Sequence, residues 1–283
     1  MKILLSGATG FIGTHVLRIL IRDGHQIHAT AHHARHELPE NFPRDQVIYC
    51  PYHAGKENTG FSQSFRVPET VIHLAWEGLP RYREAFHKEK VLPEQITFLE
   101  DLLRNGCRNL IVSGTCLEYG LQEGCLSEDM DARPVTAYAE AKYQLHQHLL
   151  KLQEVLKFKL NWLRLFYTWG PGQNPASLIP QLEQAIREGR KSFDMSHGEQ
   201  IRDFVPVQKV AACIARLAAN DSNQGIVNIC SGRGQKVKDF VTDYLKEHSA
   251  DLVLNTGVYP VPDYEPFAFW GNDSKLKRLV GVL

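Results

Sequence analysis

The chain has 283 residues, with 32 lysines and arginines balanced by 32 aspartates and glutamates, and hydrophobic residues make up 43% of it. This composition is that of a globular protein with a large core, and the zero formal charge argues against a nucleic-acid-binding surface. No apolar run approaches the roughly 20 residues that a membrane-spanning helix needs, and the six cysteines form no C-x-x-C pair. We therefore expect a soluble, cytoplasmic protein that binds neither nucleic acid nor membrane and has no metal site.

Short apolar segments alternate with helical patterns through the first two thirds of the chain. Strands are predicted over residues 3–5, 26–31, 47–50, 70–75, 109–113 and 160–166. Long helices are predicted over residues 84–104 and 136–156, and a shorter helix over residues 207–219. Strands that alternate with helices pair in parallel and are covered on both faces, because each connection carries a helix back over the sheet.

The regular alternation ends after residue 166, where a Gly-Pro-Gly segment interrupts the pattern. We therefore predict an α/β fold, with a Rossmann-type doubly wound parallel sheet and a smaller C-terminal lobe. The sheet domain would comprise residues 1–166, with residues 204–222 returning to it. The lobe would comprise residues 167–203 and 223–283, and we expect it to bind the substrate.

A glycine-rich loop follows the first predicted strand and precedes a helix. Its glycines, Gly7, Gly10 and Gly13, are spaced three apart, so that the backbone can turn tightly and approach a ligand's diphosphate. The N-terminus of the following helix would offer free N–H groups to the same phosphates. This pattern predicts a dinucleotide cofactor. The loop residues expected to contact it are Gly7, Thr9, Gly10, Phe11, Ile12 and Gly13.

The end of the second strand indicates which dinucleotide is bound. Enzymes that prefer NAD usually carry an acidic residue there, which holds the ribose 2′-hydroxyl. This chain has Ala31 at about that position, followed by His32, His33 and Arg35, whose side chains could meet a 2′-phosphate. We therefore expect NADP(H) as the cofactor, with NAD(H) as the alternative.

A Tyr-x-x-x-Lys pattern, Tyr138 to Lys142, lies within the long helix predicted over residues 136–156. Residues at i and i+4 share a helix face, so the phenol and the ammonium can reach one site. The ammonium would lower the pKa of the phenol from about 10 and allow it to exchange a proton with a reacting oxygen. A second copy, Tyr52 to Lys56, contains a glycine and follows a proline, which predicts a loop without catalytic geometry.

In their order and spacing, these motifs resemble those of the extended short-chain dehydrogenase/reductases, and within them the nucleotide-sugar epimerases, dehydratases and 4-ketoreductases. The resemblance covers nearly the whole chain. It is carried by the glycine loop, His73-Leu74-Ala75, residues 115–120, Tyr138-x-x-x-Lys142, Gly170-Pro171-Gly172-Gln173, Arg202-Asp203-Phe204-Val205 and residues 228–232. It implies a nucleotide sugar as the substrate and a homodimer formed through the two long helices.

The resemblance also implies roles for individual side chains. Thr115 would complete the catalytic group with Tyr138 and Lys142. Lys142 would also hold the nicotinamide ribose, and Leu74 and Ala75 would line the cofactor.

Substrate contacts are implied at several positions. Arg202 resembles the arginine that grips the diphosphate of a sugar nucleotide, a task that suits a planar guanidinium, and the alternative is a surface ion pair with a neighbouring acid. Trp76 follows the fourth strand, where relatives line the sugar pocket. Tyr167 stands where many relatives carry an asparagine that meets the diphosphate. Thr115 and Tyr138 would contact the reacting oxygen.

The residues that follow Thr115 indicate the reaction. Dehydratases of this family carry Asp-Glu there to eliminate water, whereas this chain has Cys116 and Leu117. We therefore expect NADPH-dependent reduction of the C4 keto group of a nucleotide-linked 4-keto-6-deoxyhexose, with the proton supplied by Tyr138. The alternatives are a nucleotide-sugar 4-epimerase with tightly bound NAD, a non-catalytic NADP(H)-sensing regulator and a reductase of small hydrophobic carbonyls.

Overall fold

A computed structural model describes residues 1–30, 43, 45–49, 66–220 and 222–281. The expected cofactor contacts His32, His33 and Arg35 lie outside the described residues, as does the second Tyr-x-x-x-Lys copy.

Strands and helices alternate along the described part of the chain. Its strands are β1 (Lys2–Ser6), β2 (Gln26–Thr30), β3 (Val47–Tyr49), β4 (Thr70–His73), β5 (Asn109–Thr115), β6 (Gly124–Leu126), β7 (Lys159–Leu165), β8 (Tyr167–Trp169), β9 (Ser192–Asp194), β10 (Ile201–Arg202), β11 (Phe204–Pro206), β12 (Gly225–Ile229), β13 (Gln235–Lys236), β14 (Val253–Asn255) and β15 (Phe269–Gly271). Its helices are α1 (Phe11–Arg22), α2 (Leu92–Arg104), α3 (Ala137–Leu156), α4 (Leu178–Arg187), α5 (Val207–Ala219), α6 (Val237–Glu247) and α7 (Ser274–Val280). None of these helices is long and apolar enough to cross a membrane.

Seven strands form the main sheet, in the order β12-β7-β5-β4-β1-β2-β3. Every neighbouring pair within it is parallel. The chain leaves β1 toward β2 on one side and later returns to β4 on the other side. The predicted α/β fold of the Rossmann type is therefore confirmed, and ligands of such sheets bind at the carboxyl ends of the strands where this reversal occurs.

Both faces of the sheet are buried because successive side chains of each strand point to opposite sides. Ile3 and Leu5 join the apolar cluster formed with α1 and α5, whereas Leu4 joins the cluster formed with α2 and α3. Burial on both faces explains why the strands read as continuous apolar runs rather than as alternating patterns.

The helix predicted over residues 84–104 starts later and less regularly than expected. A single π-helical turn, His87–Val91, precedes α2, and Pro93 lies at the beginning of α2. Proline has no N–H group, so the regular hydrogen-bond ladder of an α-helix cannot continue through this position.

The C-terminal third divides differently from the expected boundaries. β12 belongs to the main sheet through its pairing with β7, and α7 packs against β12 and α5, although residues 223–283 were assigned to the lobe. The helix α5 packs against the sheet within the larger apolar cluster. The smaller apolar cluster of the C-terminal part is formed by α4, α6 and the strands β9 and β14.

Candidate active site

The glycine loop lies between β1 and α1 at the carboxyl edge of the sheet. Gly7 has a φ of +76°, and a Cβ atom on Gly13 would lie 1.9 Å from the carbonyl oxygen of Gly7. The helix begins at Phe11 with Gly10 as its N-cap, and no described side chain caps its first N–H groups. The other loop residues, which are partly exposed, are Thr9, Phe11 and Ile12.

The first residues after β4 form the neighbouring wall of this loop. The backbone N–H of Leu74 donates to the carbonyl of Ser6 at 3.1 Å. A Cβ atom on Gly7 would lie 2.8 Å from the backbone nitrogen of Ala75. The expected cofactor residues Leu74 and Ala75 are thus brought against the glycine loop, and the resulting backbone cradle with its free N–H groups fits the diphosphate of a dinucleotide.

Three expected catalytic residues come together where β5 ends and α3 begins. Thr136 caps α3 by accepting a hydrogen bond from a backbone N–H at 3.2 Å, which fixes the first turn that carries Tyr138. The Tyr138 phenol lies beside the Thr115 side chain at the end of β5. One helical turn further on, the Lys142 ammonium donates to the carbonyl of Ser113 at 2.7 Å. Tyr138, Thr115 and Lys142 are all buried.

A buried carboxylate below the site fixes the backbone of Thr115. Glu118 accepts a hydrogen bond from the Thr115 N–H at 2.8 Å, while the Thr115 hydroxyl accepts from the Leu117 N–H at 3.2 Å. The same carboxylate accepts from the Trp162 indole at 3.0 Å and from the Arg164 guanidinium at 3.0 Å. Neither Glu118 nor Arg164 was expected at the site, although Thr-x-x-Glu is the pattern of a capping box and could have indicated Glu118.

Burial dominates the protonation of the catalytic groups. It raises the pKa of Tyr138 well above 10, and the nearby Tyr82 and Glu118 add to the rise, while the neighbouring Thr115 side chain opposes it. The expected lowering of this pKa by the ammonium was wrong for this structure, because removal from water disfavours the phenolate. Burial also lowers the pKa of Lys142 to about 7, and the negative charge of Glu118 counteracts this fall.

Aromatic rings cover the catalytic group. The Lys142 ammonium lies 4.1 Å from the centre of the Trp76 ring, which meets the Tyr138 ring edge-on at 5.8 Å. The Trp76 N–H donates to Nδ1 of His87 at 3.1 Å, and Nε2 of His87 lies 3.0 Å from the carbonyl of Arg81. His87 therefore carries its proton on Nε2 and accepts from Trp76 on Nδ1. This hydrogen bond and the contacts with Lys142 and Tyr138 hold the Trp76 ring in place.

Arg202 is buried in an ion pair rather than lying on the surface. Its guanidinium is bound by the carboxylate of Glu265 and by the hydroxyl of Tyr167. The two acids next to it in the sequence have other partners: Glu199 pairs with a lysine, and Asp203 accepts backbone N–H groups. Arg202 and Tyr167, which were both expected to contact the substrate, are thus in direct contact.

Comparison with known proteins identifies the family of the chain. Residues 3–230 match the model of the NAD dependent epimerase/dehydratase family. A dTDP-6-deoxy-L-talose 4-dehydrogenase (NAD(+)) of Aggregatibacter actinomycetemcomitans is 28% identical over 278 residues, which cover 96% of this chain and 99% of the relative. A probable UDP-glucuronate 4-epimerase of Rhizobium meliloti (strain 1021) is 24% identical over 274 residues, which cover 91% of this chain and 77% of the relative.

Solved structures share the fold over the full length. The structure of MoeE5 in complex with UDP-glucose and NAD superposes with a TM-score of 0.82 at 22% sequence identity. The match covers 99% of this chain and 92% of that chain.

Proposed function

The chain belongs to the NAD dependent epimerase/dehydratase family, and we propose that it catalyses NADPH-dependent reduction of the C4 keto group of a nucleotide-linked 4-keto-6-deoxyhexose. The observation that carries this proposal is the buried contact between the Tyr138 phenol and the Thr115 side chain, with Lys142 one turn away. This grouping suits hydride transfer at a carbonyl, because a proton donor and a polarising hydroxyl meet at one position.

In the proposed mechanism, the Thr115 hydroxyl and the Tyr138 phenol both hydrogen-bond the keto oxygen and so polarise the carbonyl. The nicotinamide, when bound, supplies the hydride. Tyr138 then gives its proton to the developing alkoxide, and Lys142 holds the nicotinamide ribose while its charge stabilises the phenolate that forms. Glu118 keeps Thr115 in the geometry that this step needs.

The protonation state of Tyr138 supports the reductive direction. Its pKa is raised well above 10, so the phenol keeps its proton at neutral pH and can act as an acid. The oxidative direction needs the phenolate instead. The relative named as a 4-dehydrogenase carries out chemistry at the same carbon, and the reverse of such an oxidation is the reduction proposed here.

The choice of NADP(H) follows from residues that the structure does not describe. Ala31 stands where an acid would favour NAD, and His32, His33 and Arg35 follow it. The glycine loop and the free N–H groups of α1 suit the diphosphate of either dinucleotide. We propose NADP(H) as the preferred cofactor, NAD(H) as its competitor, and a homodimer formed through α2 and α3.

A nucleotide-sugar 4-epimerase is the second candidate, because the same side chains can remove a hydride and return it to the other face, and one relative is named as a probable 4-epimerase. Cofactor labelled with deuterium in the transferred position separates the two. A reductase leaves one deuterium at C4 of the sugar and consumes one cofactor per product. An epimerase instead converts a nucleotide sugar that carries a hydroxyl group at C4, needs only a trace of cofactor and consumes none of it. This result would overturn the reductase proposal.

A further inference from the structure

Each nitrogen of the Arg202 guanidinium donates to at least one acceptor of the protein itself. Nη1 donates to the backbone carbonyls of Ile201 and Phe267 at 2.8 and 3.0 Å. Nε donates to the Tyr167 hydroxyl at 3.2 Å, and both Nε and Nη2 donate to one carboxylate oxygen of Glu265, at 3.2 and 2.9 Å. The edge of the guanidinium formed by Nε and Nη2 therefore faces an anion.

That edge is the one that could take a phosphate, because the Nη1 side is committed to backbone carbonyls. We propose that Glu265 is an internal anion that occupies the place of the substrate's diphosphate on Arg202 and must leave when the nucleotide sugar binds. This inference rests on the proposed function. It makes Glu265 a residue that sets the affinity of the site for nucleotide.

The charge balance supports an exchange rather than a shared site. The side chain of Arg202 is 2% exposed and that of Glu265 is 10% exposed, so neither charge is screened well by water. A diphosphate brought to the same guanidinium edge would face the Glu265 carboxylate at close range, and like charges in such surroundings repel strongly. The positive charge of Arg202 is paired in both the free and the nucleotide-bound protein only if the diphosphate replaces the Glu265 carboxylate.

Glu265 lies in a segment outside the regular secondary structure. We call residues 262–266 the strap, which lies between β14 and β15 and forms no helix or strand. The next residue, Phe267, is anchored by backbone hydrogen bonds with Ile201 and Glu123 and stays in place. Asp263 forms an exposed ion pair with Arg83, and the ring of Tyr264 lies 5.9 Å from the ring of Tyr82. These contacts are fewer and more exposed than those of the sheet, as expected for a segment that opens at low cost.

The strap also reaches the catalytic group. The Tyr82 ring, which contacts Tyr264, lies 5.5 Å from the ring of Tyr138. Release of Glu265 from Arg202 would therefore loosen a segment that packs against Tyr82, and Tyr82 in turn packs against the proton donor. Binding of the diphosphate would in this way be coupled to the opening of the sugar side of the site.

The test measures nucleotide binding by isothermal titration calorimetry, with UDP and dTDP as probes and without cofactor or hydride transfer. The variant Glu265→Gln removes the charge and nearly keeps the shape. The matched control is Asp263→Asn, which removes a charge from the same strap at an exposed pair that does not touch Arg202. Glu265→Asp serves as a second variant, because it keeps a carboxylate but withdraws it from the guanidinium by one methylene group.

We expect the Glu265→Gln variant to bind UDP or dTDP, whichever the wild type binds more tightly, with roughly 5- to 100-fold higher affinity than the wild type. This is the usual range for the coupling between two ligands of one protein. Glu265→Asp should gain affinity by a smaller factor, and it carries the test if the glutamine variant does not fold. Asp263→Asn should stay within about twofold of the wild type.

Equal or weaker binding by both Glu265 variants would overturn the inference. So would an absence of nucleotide binding in all of the proteins, because a freed Arg202 must attract an anion. The assay measures binding and not turnover, so unchanged affinity in variants that still bind nucleotide overturns the inference and leaves the proposed reduction standing. An absence of nucleotide binding in all of the proteins counts against both.

Discussion

The carboxylate of Glu118 accepts a hydrogen bond from the backbone N–H of Thr115 at 2.8 Å, at the point where β5 delivers the catalytic hydroxyl. Both residues are buried, and Glu118 is also paired with Arg164 at 3.0 Å. The negative charge of Glu118 raises the pKa of both Lys142 and Tyr138. One buried side chain therefore positions the backbone of the catalytic hydroxyl and adds to the pKa values of its two neighbours.

The first prediction concerns the pH dependence of kcat/KM, which reports groups of the free enzyme. Lys142 has a pKa of about 7, so its ammonium is lost as the pH rises through 7, and kcat/KM for the reduction should fall above that pH. Glu118→Gln removes a negative charge and lowers this pKa, so the fall should move to lower pH. The measurement is a profile from pH 5.5 to 9 for both proteins.

The control for this profile is Glu140→Gln, which lies between the two catalytic residues on α3 but forms an exposed pair with Lys88. Its profile should match that of the wild type. Glu118→Gln also leaves Arg164 buried without its partner, which costs about 3–5 kcal/mol of stability. The double variant Glu118→Gln/Arg164→Met removes that unpaired charge. If both the single and the double variant keep the wild-type profile, the proposed role of Glu118 is wrong.

The second prediction concerns Gly13. A methyl group there would lie 1.9 Å from the carbonyl oxygen of Gly7, so Gly13→Ala must push the glycine loop away from α1. We expect the Kd for NADPH to rise by at least about 10-fold, equivalent to about 1.4 kcal/mol. Fluorescence titration measures this, and an unchanged Kd would argue against the loop as the cofactor site.

A matched variant separates loop geometry from general instability. Gly10→Ala would place its methyl group 3.2 Å from the same oxygen, a contact that a small shift can relieve. Its melting temperature should stay close to that of the wild type, whereas that of Gly13→Ala should fall.

The third prediction concerns stability at acidic pH. His146 is buried against the Trp162 ring at 4.8 Å, and neither ring nitrogen has a hydrogen-bond partner among the described residues. Burial lowers its pKa from 6.5 to about 4. Between these values the unfolded chain binds a proton that the folded chain does not, so the free energy of unfolding falls as the pH falls from 6.5 to 4.

His146→Phe should remove this loss and add about 1 kcal/mol of stability at pH 7, because two unpaired polar atoms leave the core. The stability that this variant gains over the wild type should be larger at pH 5 than at pH 7. Urea unfolding at both pH values measures it. The control, His148→Phe on the same helix, breaks a hydrogen bond with Glu100 and should not stabilise the protein. A variant at position 146 that is less stable than the wild type at pH 5 would contradict the account.

Local patterns were enough to predict six of the seven strands of the main sheet and to mark residues that the structure brings together. The glycine loop and the Tyr-x-x-x-Lys spacing are short-range signals, and the structure brings Gly7, Gly13, Tyr138 and Lys142 to one edge of the sheet. The strand β12 was missed as part of the sheet because it pairs with β7, more than 60 residues earlier.

Long-range pairs account for most of what the sequence did not indicate. Arg164 meets Glu118 and Glu265 meets Arg202 across 46 and 63 residues, and no local pattern marks such partners. The direction of the Tyr138 pKa was missed for a related reason. Spacing places a phenol near an ammonium, but the depth of burial, which dominates the shift, depends on the assembled fold.

The most direct measurement is the consumption of NADPH, which is monitored through its absorbance. The oxidant is a nucleotide-linked 4-keto-6-deoxyhexose. NADH and the Tyr138→Phe variant are the comparisons. The account predicts one NADPH consumed per sugar, slower turnover with NADH, and a rate loss of about 10²- to 10⁴-fold for Tyr138→Phe. An unchanged rate in Tyr138→Phe, or no consumption of either cofactor by the wild type, would contradict it.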